Sequence, residues 1–244
     1  MNDYYDEVKE ELESWERSMK KKSSMFSRSA KNVQTRINRA IPERVHALVT
    51  NSVKTMVQAV LKGNTYTVKE PIQNQSMVFR DKQARQAIVT YKRVAAAEGA
   101  GTGAGGIFLG LADFPLLLSI KMKMLFDIAS IYGYDAKKLR ERVFILHVFQ
   151  LAFSSNSFRK EVYKRMQNWD QASTEKNKFN DEHDWKAFQM EYRDYIDLPK
   201  FLQMIPGIGA VVGALVNYHF IDWLGENAMN AYRQRIILSE SVEK

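Results

Sequence analysis

The feature that most constrains this chain is a glycine-rich, nearly uncharged stretch from Glu98 to Tyr134, EGAGTGAGGIFLGLADFPLLLSIKMKMLFDIASIYGY. From Gly99 to Ile120 only Asp113 carries a charge in 22 positions. Gly101 and Gly105, Gly106 and Gly110, and later Gly209 and Gly213 each stand four apart. On a helix that spacing stacks the bare positions on one face and lets a second backbone approach closely. The stretch and its later echo are therefore expected to form the apolar centre of an all-α protein, with these glycines as helix-packing positions.

The same glycines contain a false lead. Gly101, Gly103 and Gly106 match the G-x-G-x-x-G dinucleotide pattern, which needs a strand before it and a helix after it. The preceding Ala84, Ala87, Ile88, Tyr91, Val94, Ala95 and Glu98 step by threes and fours, the period of a helix. No Gly-Lys-Ser/Thr follows either, so nucleotide binding is not expected.

A chain of 244 residues, 45% hydrophobic and 26% charged, has ample material for one large core. With no cysteine it offers no disulfide and no thiolate chemistry. The N-terminal MNDYYDEVKEELESW is acidic and amphipathic, without an apolar signal core, which predicts a cytoplasmic protein. The net charge of +8 is unevenly spread. Arg17 to Lys62 holds 11 Lys/Arg against Glu43 alone, or +10, leaving 8 − 10 = −2 for the remainder. One region therefore carries the basic character and suits a phosphate-bearing partner, lipid or nucleic acid.

Read in order, residues 3–22 predict a charged helix, with acids leading and Arg17, Lys20, Lys21 and Lys22 closing it. Segment 25–41 is the clearest amphipathic one. Its Phe26, Ala30, Val33, Ile37, Ala40 and Ile41 fall within about a 100° arc, with Arg28, Lys31, Arg36 and Arg39 opposite. Such a helix suits either an anionic membrane surface or a core with a solvated basic face. Further helices are expected over 43–62, stopped by Gly63, and over 81–98 after a polar loop at 63–79. Asp113-Phe114-Pro115 divides the central stretch into helices 99–112 and 114–132, because proline resists a helix interior. Asp135 is expected to cap a helix from 136 to about 153, and a charged helix near 182–196 precedes Pro199. The second apolar segment, 205–224, continues as a helix to about Leu238. Gly207 to Ile221 is 15 residues, roughly 22 Å of helix, which falls short of the ~30 Å hydrocarbon core of a bilayer.

Three residues are candidates for catalysis. Glu98 lies on the apolar stripe of its helix and Asp113 in an apolar run, where an unpaired carboxylate is costly unless partnered or protonated. Brought together they would make an acid/base pair; taken singly, Asp113 reads as a helix cap and Glu98 as a partner for backbone groups near the glycines. His147, inside Val143–Phe149, is either a general base or a hydrogen-bonded core histidine. No zinc-ligand spacing occurs, so no metal and no cofactor are expected.

Three blocks resemble the EcsC family: INRAIPERVHALVTNSVKTMVQAVL, then EGAGTGAGG with LADFPLLL and IASIYGYD, then IPGIGAVVGALVN. Glu98, Gly99, Asp113, Pro115, Gly133, Asp135, Pro206 and Gly209 fall within its motifs. The resemblance implies an association with an ABC transporter and protein secretion; it supplies no catalytic residues. These readings together predict an all-α bundle of about eight to ten helices, with a charged helix at 1–22 and a single helical domain over 23–244. Two glycine-rich segments, 99–132 and 205–224, are expected to pack at its centre. The expected function is that of a non-catalytic accessory protein of an ABC transport system, peripheral to the cell membrane. Its membrane-binding residues would be Lys20, Lys21, Lys22, Arg28, Lys31, Arg36 and Arg39, and its partners anionic lipid and transporter subunits. The alternatives are a hydrolase using Glu98, Asp113 and His147 on a lipid or peptide, and a nucleic-acid binder. The second is disfavoured by the lack of a reading motif and of stacking aromatics in the basic region.

Overall fold

The computed structural model describes residues 2–20, 43–63, 66–103, 114–154, 156–167, 169–170 and 210–242. Among them are seven α-helices and no strand: α1 (Asn2–Lys20), α2 (Glu43–Lys62), α3 (Met77–Gly103), α4 (Phe114–Ile131), α5 (Leu139–Phe153), α6 (Asn156–Gln167) and α7 (Ala210–Val242). The expected helices at 25–41 and 182–196 lie outside the described residues.

One core draws on all seven helices, from Val8 of α1 through Met56, Ile88, Leu125, Phe149 and Tyr163 to Met229 of α7. The central element is α7, 33 residues or about 50 Å long, against which α1, α3, α4, α5 and α6 all pack. Side-chain pairs fix the directions. Asp81–Arg233, Arg85–Glu226 and Lys92–Asp222 run α3 antiparallel to α7. Tyr5–Glu240, Glu11–Arg233 and Trp15–Asn227 do the same for α1. Arg235–Glu141 and the Trp223 indole donating to the Ala152 carbonyl do so for α5. Although α1 is strongly polar, its stripe of Val8, Leu12, Trp15 and Met19 is buried on this frame.

Helix ends follow local chemistry. Gly63 (φ +75°) stops α2 with its N–H on the Ala59 carbonyl. Gly133 (φ +92°) ends the helical run that begins with α4, where a left-handed turn free of Cβ strain is required. Several boundaries differ from expectation: α3 runs unbroken past Glu98 to Gly103, where helices 81–98 and 99–112 were expected, and α7 continues past Leu238 to Val242. Helix α3 begins at Met77 rather than 81, with the Ser76 hydroxyl accepting the Phe79 N–H. Asp135 does not cap α5: its carboxylate accepts the Lys137 N–H and its carbonyl the Lys138 N–H, closing a separate turn. The helix starts only at Leu139, because the chain leaving Gly133 must first reverse direction. Helix α6 was not anticipated from its polar composition; Val162, Tyr163 and Met166 supply its buried face.

The packing expected of these glycines falls outside the described residues, and the close contact that is described involves a different glycine. Gly101 and Gly213 lie within α3 and α7, but their packing lies outside the description, as do Gly105, Gly106, Gly110 and Gly209. Where α3 and α7 are seen to touch, Gly225 is the close point: a Cβ there would stand 2.5 Å from Cδ1 and Cγ1 of the buried Ile88. Gly225→Ala gains about 1 kcal/mol of helix propensity but overpacks this contact, which costs about 1–3 kcal/mol. The expected result is a net loss of stability in urea unfolding, and a loss for Gly225→Ala/Ile88→Ala smaller than the sum of the single variants. Additive losses would show that Ile88 does not limit the approach.

Candidate functional site

The chemically distinctive part of the described fold is a seam of buried charge along α7. In Arg233, 1% exposed at its side chain, Nε and Nη2 donate to the Asp81 carboxylate at 2.8–3.1 Å and Nη1 to Glu11 at 2.6 Å. Asp81 also accepts the Tyr4 hydroxyl at 2.6 Å and the Tyr132 hydroxyl. Three helices, α1, α3 and α7, and the turn after α4 are thus gathered on one ion pair. Burial works against the Arg233 charge, but the Asp81 hydrogen bonds, the Tyr132 and Asp81 charges and the Glu11 hydrogen bond together outweigh it and raise its pKa. The Tyr4 phenol is pushed up to about 12, by burial first and then by Asp81.

Half a turn on, Arg235 is held by Glu141 at 2.6 and 2.9 Å and by Asp170 at 2.7 and 2.8 Å. Its guanidinium lies 3.8 Å from the Tyr134 ring centroid and 4.3 Å from that of Phe144. On α4, Asp127 accepts Lys123 at 2.6 Å, and Lys69 and the Tyr91 hydroxyl at 2.8 Å. Burial raises the Asp127 pKa, but these bonds together take it below the ordinary carboxylate value. Every one of these carboxylates is saturated with cationic or hydroxyl donors. That is the chemistry of a clamp, not of an acid/base pair poised to exchange protons.

Lys121 of α4 is the exception. Its side chain is fully buried and its Nζ has no hydrogen-bond partner among the described residues. Burial pushes its pKa down to about 7, so the amine is largely uncharged just above neutrality.

The residues singled out from the sequence fall as follows. His147 is buried in α5, with Nδ1 2.8 Å from the Gln150 amide oxygen and its ring edge-on to Trp169 at 5.5 Å. In this placement it is a packed, hydrogen-bonded histidine of the core. Glu98 belongs to α3, but its side chain and the whole of Asp113 lie outside the described part, as does any convergence of the three. Lys20 pairs with Glu16 at 2.8 Å beside the Tyr163 ring, while Lys21, Lys22, Arg28, Lys31, Arg36 and Arg39 lie outside the described residues. Among the described residues no group of three or more His, Asp or Glu is arranged to hold a metal.

The profile of the EcsC protein family matches residues 6–237. The chain belongs to the EcsC family. It is 50% identical to Protein EcsC of Bacillus subtilis over 231 residues, 94% of each chain. It is 32% identical to the uncharacterized protein YdbA of the same organism over 188 residues, 77% of this chain and 69% of that one. No solved structure matches it.

For this EcsC-family chain, the residues that sequence reasoning missed were Asp81, Lys121, Arg233 and Arg235. Their signal was charge on an apolar stripe. Asp81 precedes Ala84 and Ile88 by three and seven, and Lys121 follows Leu117 and Leu118 by four and three. Arg233 follows Met229 by four. Each is one charge on a helix face that is otherwise buried.

Proposed function

We propose that this EcsC-family protein is a non-catalytic accessory component of an ABC transport system, resting on the inner face of the cell membrane. The observation that carries the reading is the +10 charge of residues 17–62 against −2 for the rest. Anionic lipid attracts such a segment at about 1 kcal/mol per Lys or Arg near the surface. No described helix is long and apolar enough to cross a membrane, so the attachment in this reading is peripheral. The buried acids described above are spent on internal clamps, which favours an accessory role over turnover. Family membership favours a transporter subunit as the protein partner.

The test is co-sedimentation with vesicles rich in phosphatidylglycerol, with phosphatidylcholine vesicles as control. Binding is expected only to the anionic vesicles, and should weaken as salt screens the surface. Replacing Arg28, Lys31, Arg36 and Arg39 with Gln should weaken it by about two to three orders of magnitude. A protein that stays in the supernatant with anionic vesicles at low salt would end this reading.

A further inference from the structure

We propose that Trp169 and Asp170 stand in for a protein partner. The place they fill on α5 and α7 docks a short peptide segment in which an aromatic residue precedes an acid. Both residues lie in a turn beyond the end of α6, with the Trp169 N–H on the Met166 carbonyl. Three separate contacts read them. The indole is 5% exposed, its ring centroid 5.5 Å from those of both Phe144 and His147. Nη2 of Arg140 donates to the Trp169 main-chain carbonyl. The Asp170 carboxylate accepts Nε and Nη2 of Arg235 at 2.8 and 2.7 Å. A ring in a slot, a main-chain carbonyl and a carboxylate are each met by a different group, which is how a peptide segment is recognised.

The receiving side is complete without them. Glu141 holds Arg235 by itself at 2.6 and 2.9 Å, the Tyr134 and Phe144 rings flank the guanidinium, and Phe144 packs on Tyr232. Withdrawing Asp170 therefore leaves a neutral pair and not a buried unpaired cation. Asp170 also stands on the open side, with its side chain 41% exposed against 9% for Glu141 and 4% for Arg235. Arg140, 33% exposed and 3.6 Å from Asp170, shares that opening and has no other carboxylate among the described residues. The present occupant fits imperfectly. The indole Nε1–H is enclosed with no acceptor among the described residues, as is Nε of Arg140. A buried donor without a partner weakens the hold on the group that carries it. A phenyl ring brings the same apolar faces and strands no donor, while Arg140 and Arg235 require an acid beside it. A Phe-Asp or Phe-Glu segment therefore suits the slot better than the chain's own Trp-Asp. This docking is separate from the lipid contact proposed above and does not depend on it.

The test uses the full chain with its four tryptophans replaced by fluorotryptophan, the fluorine resonance of Trp169 being assigned with Trp169→Phe. The peptide acetyl-Gly-Phe-Asp-Gly-amide is expected to move the Trp169 resonance toward its solvent-exposed position and to leave that of Trp15 in place. Peptides with Ala for Phe, or Lys for Asp, should move neither. In Trp169→Gly/Asp170→Gly nothing competes for the slot, so the first peptide should bind about tenfold or more tightly than to the natural chain. Adding Arg140→Gln should undo that gain. A Trp169 resonance that stays in place at millimolar peptide, or answers all three peptides alike, would overturn the proposal, and this readout does not need the double variant to fold. Equal affinity of the natural chain and the double variant would also sink it, since nothing would then be displaced. Movement of the Trp169 resonance with protein concentration alone would give the slot to a second copy of the chain, and the proposal would again be wrong.

Discussion

Asp81→Ala is expected to lower the unfolding free energy by about 3–5 kcal/mol, the usual cost of removing one partner from a buried ion pair. Arg233 would be left 1% exposed with Glu11, which is 43% exposed, as its remaining carboxylate. The Tyr4 and Tyr132 hydroxyls would lose their acceptor at the same time. Three helices and a turn meet at this carboxylate, so the loss should appear as a lower urea midpoint with an unchanged slope. Asp81→Asn keeps the shape and one acceptor oxygen and should cost less. The informative variant is Asp81→Ala/Arg233→Met. Removing both charges spares the desolvation of either, so it should recover much of the single loss. A loss below about 1 kcal/mol for Asp81→Ala would mean that water reaches Arg233 and that the pair belongs with ordinary surface bridges.

Lys121→Met is expected to act in the opposite direction, raising stability at pH 7 by about 1–4 kcal/mol. The ammonium has no partner among the described residues, and burial takes its pKa from 10.5 to about 7. At 1.36 kcal/mol per pH unit this disfavours the charged form by about 5 kcal/mol. Between about pH 7 and 10 the unfolded chain therefore holds a proton here that the folded chain has released. Stability should rise with pH across that window and be flat below it. Ionisation of the unfolded-state tyrosines opposes this only above about pH 10, because Tyr4, among others, titrates later when folded, at about 12. Methionine keeps the apolar stem and removes the amine, so the difference between variant and wild type should shrink as pH climbs from 7 to 10. A difference independent of pH would mean that Lys121 is charged and paired.

The helical class was legible because periodicity is a local property. Phe114-Pro115 and Gly63 marked helix boundaries by backbone chemistry that needs no tertiary partner. The Asp135 turn was misread because Asp is equally at home capping a helix or closing a turn, and only the chain path after Gly133 decides between them. The charge seam was harder to read. Asp81 and Arg233 are 152 positions apart, and neither residue type says which distant charge will meet it. The central close contact was assigned to glycines in fours, yet the described one is a solitary Gly225 opposite Ile88. A lone glycine gives no periodic signal. The basic region was visible as net charge.

The long final helix has a consequence for how the protein comes into being. Of the seven described helices it leaves the ribosome last, yet it brings the guanidinium groups that neutralise Asp81 and Glu141. A nascent chain that has emerged only as far as α6 carries those acids with no cation of α7 to receive them. The earlier helices therefore stay unlocked during synthesis, and the bundle closes in one late step when α7 slides between them.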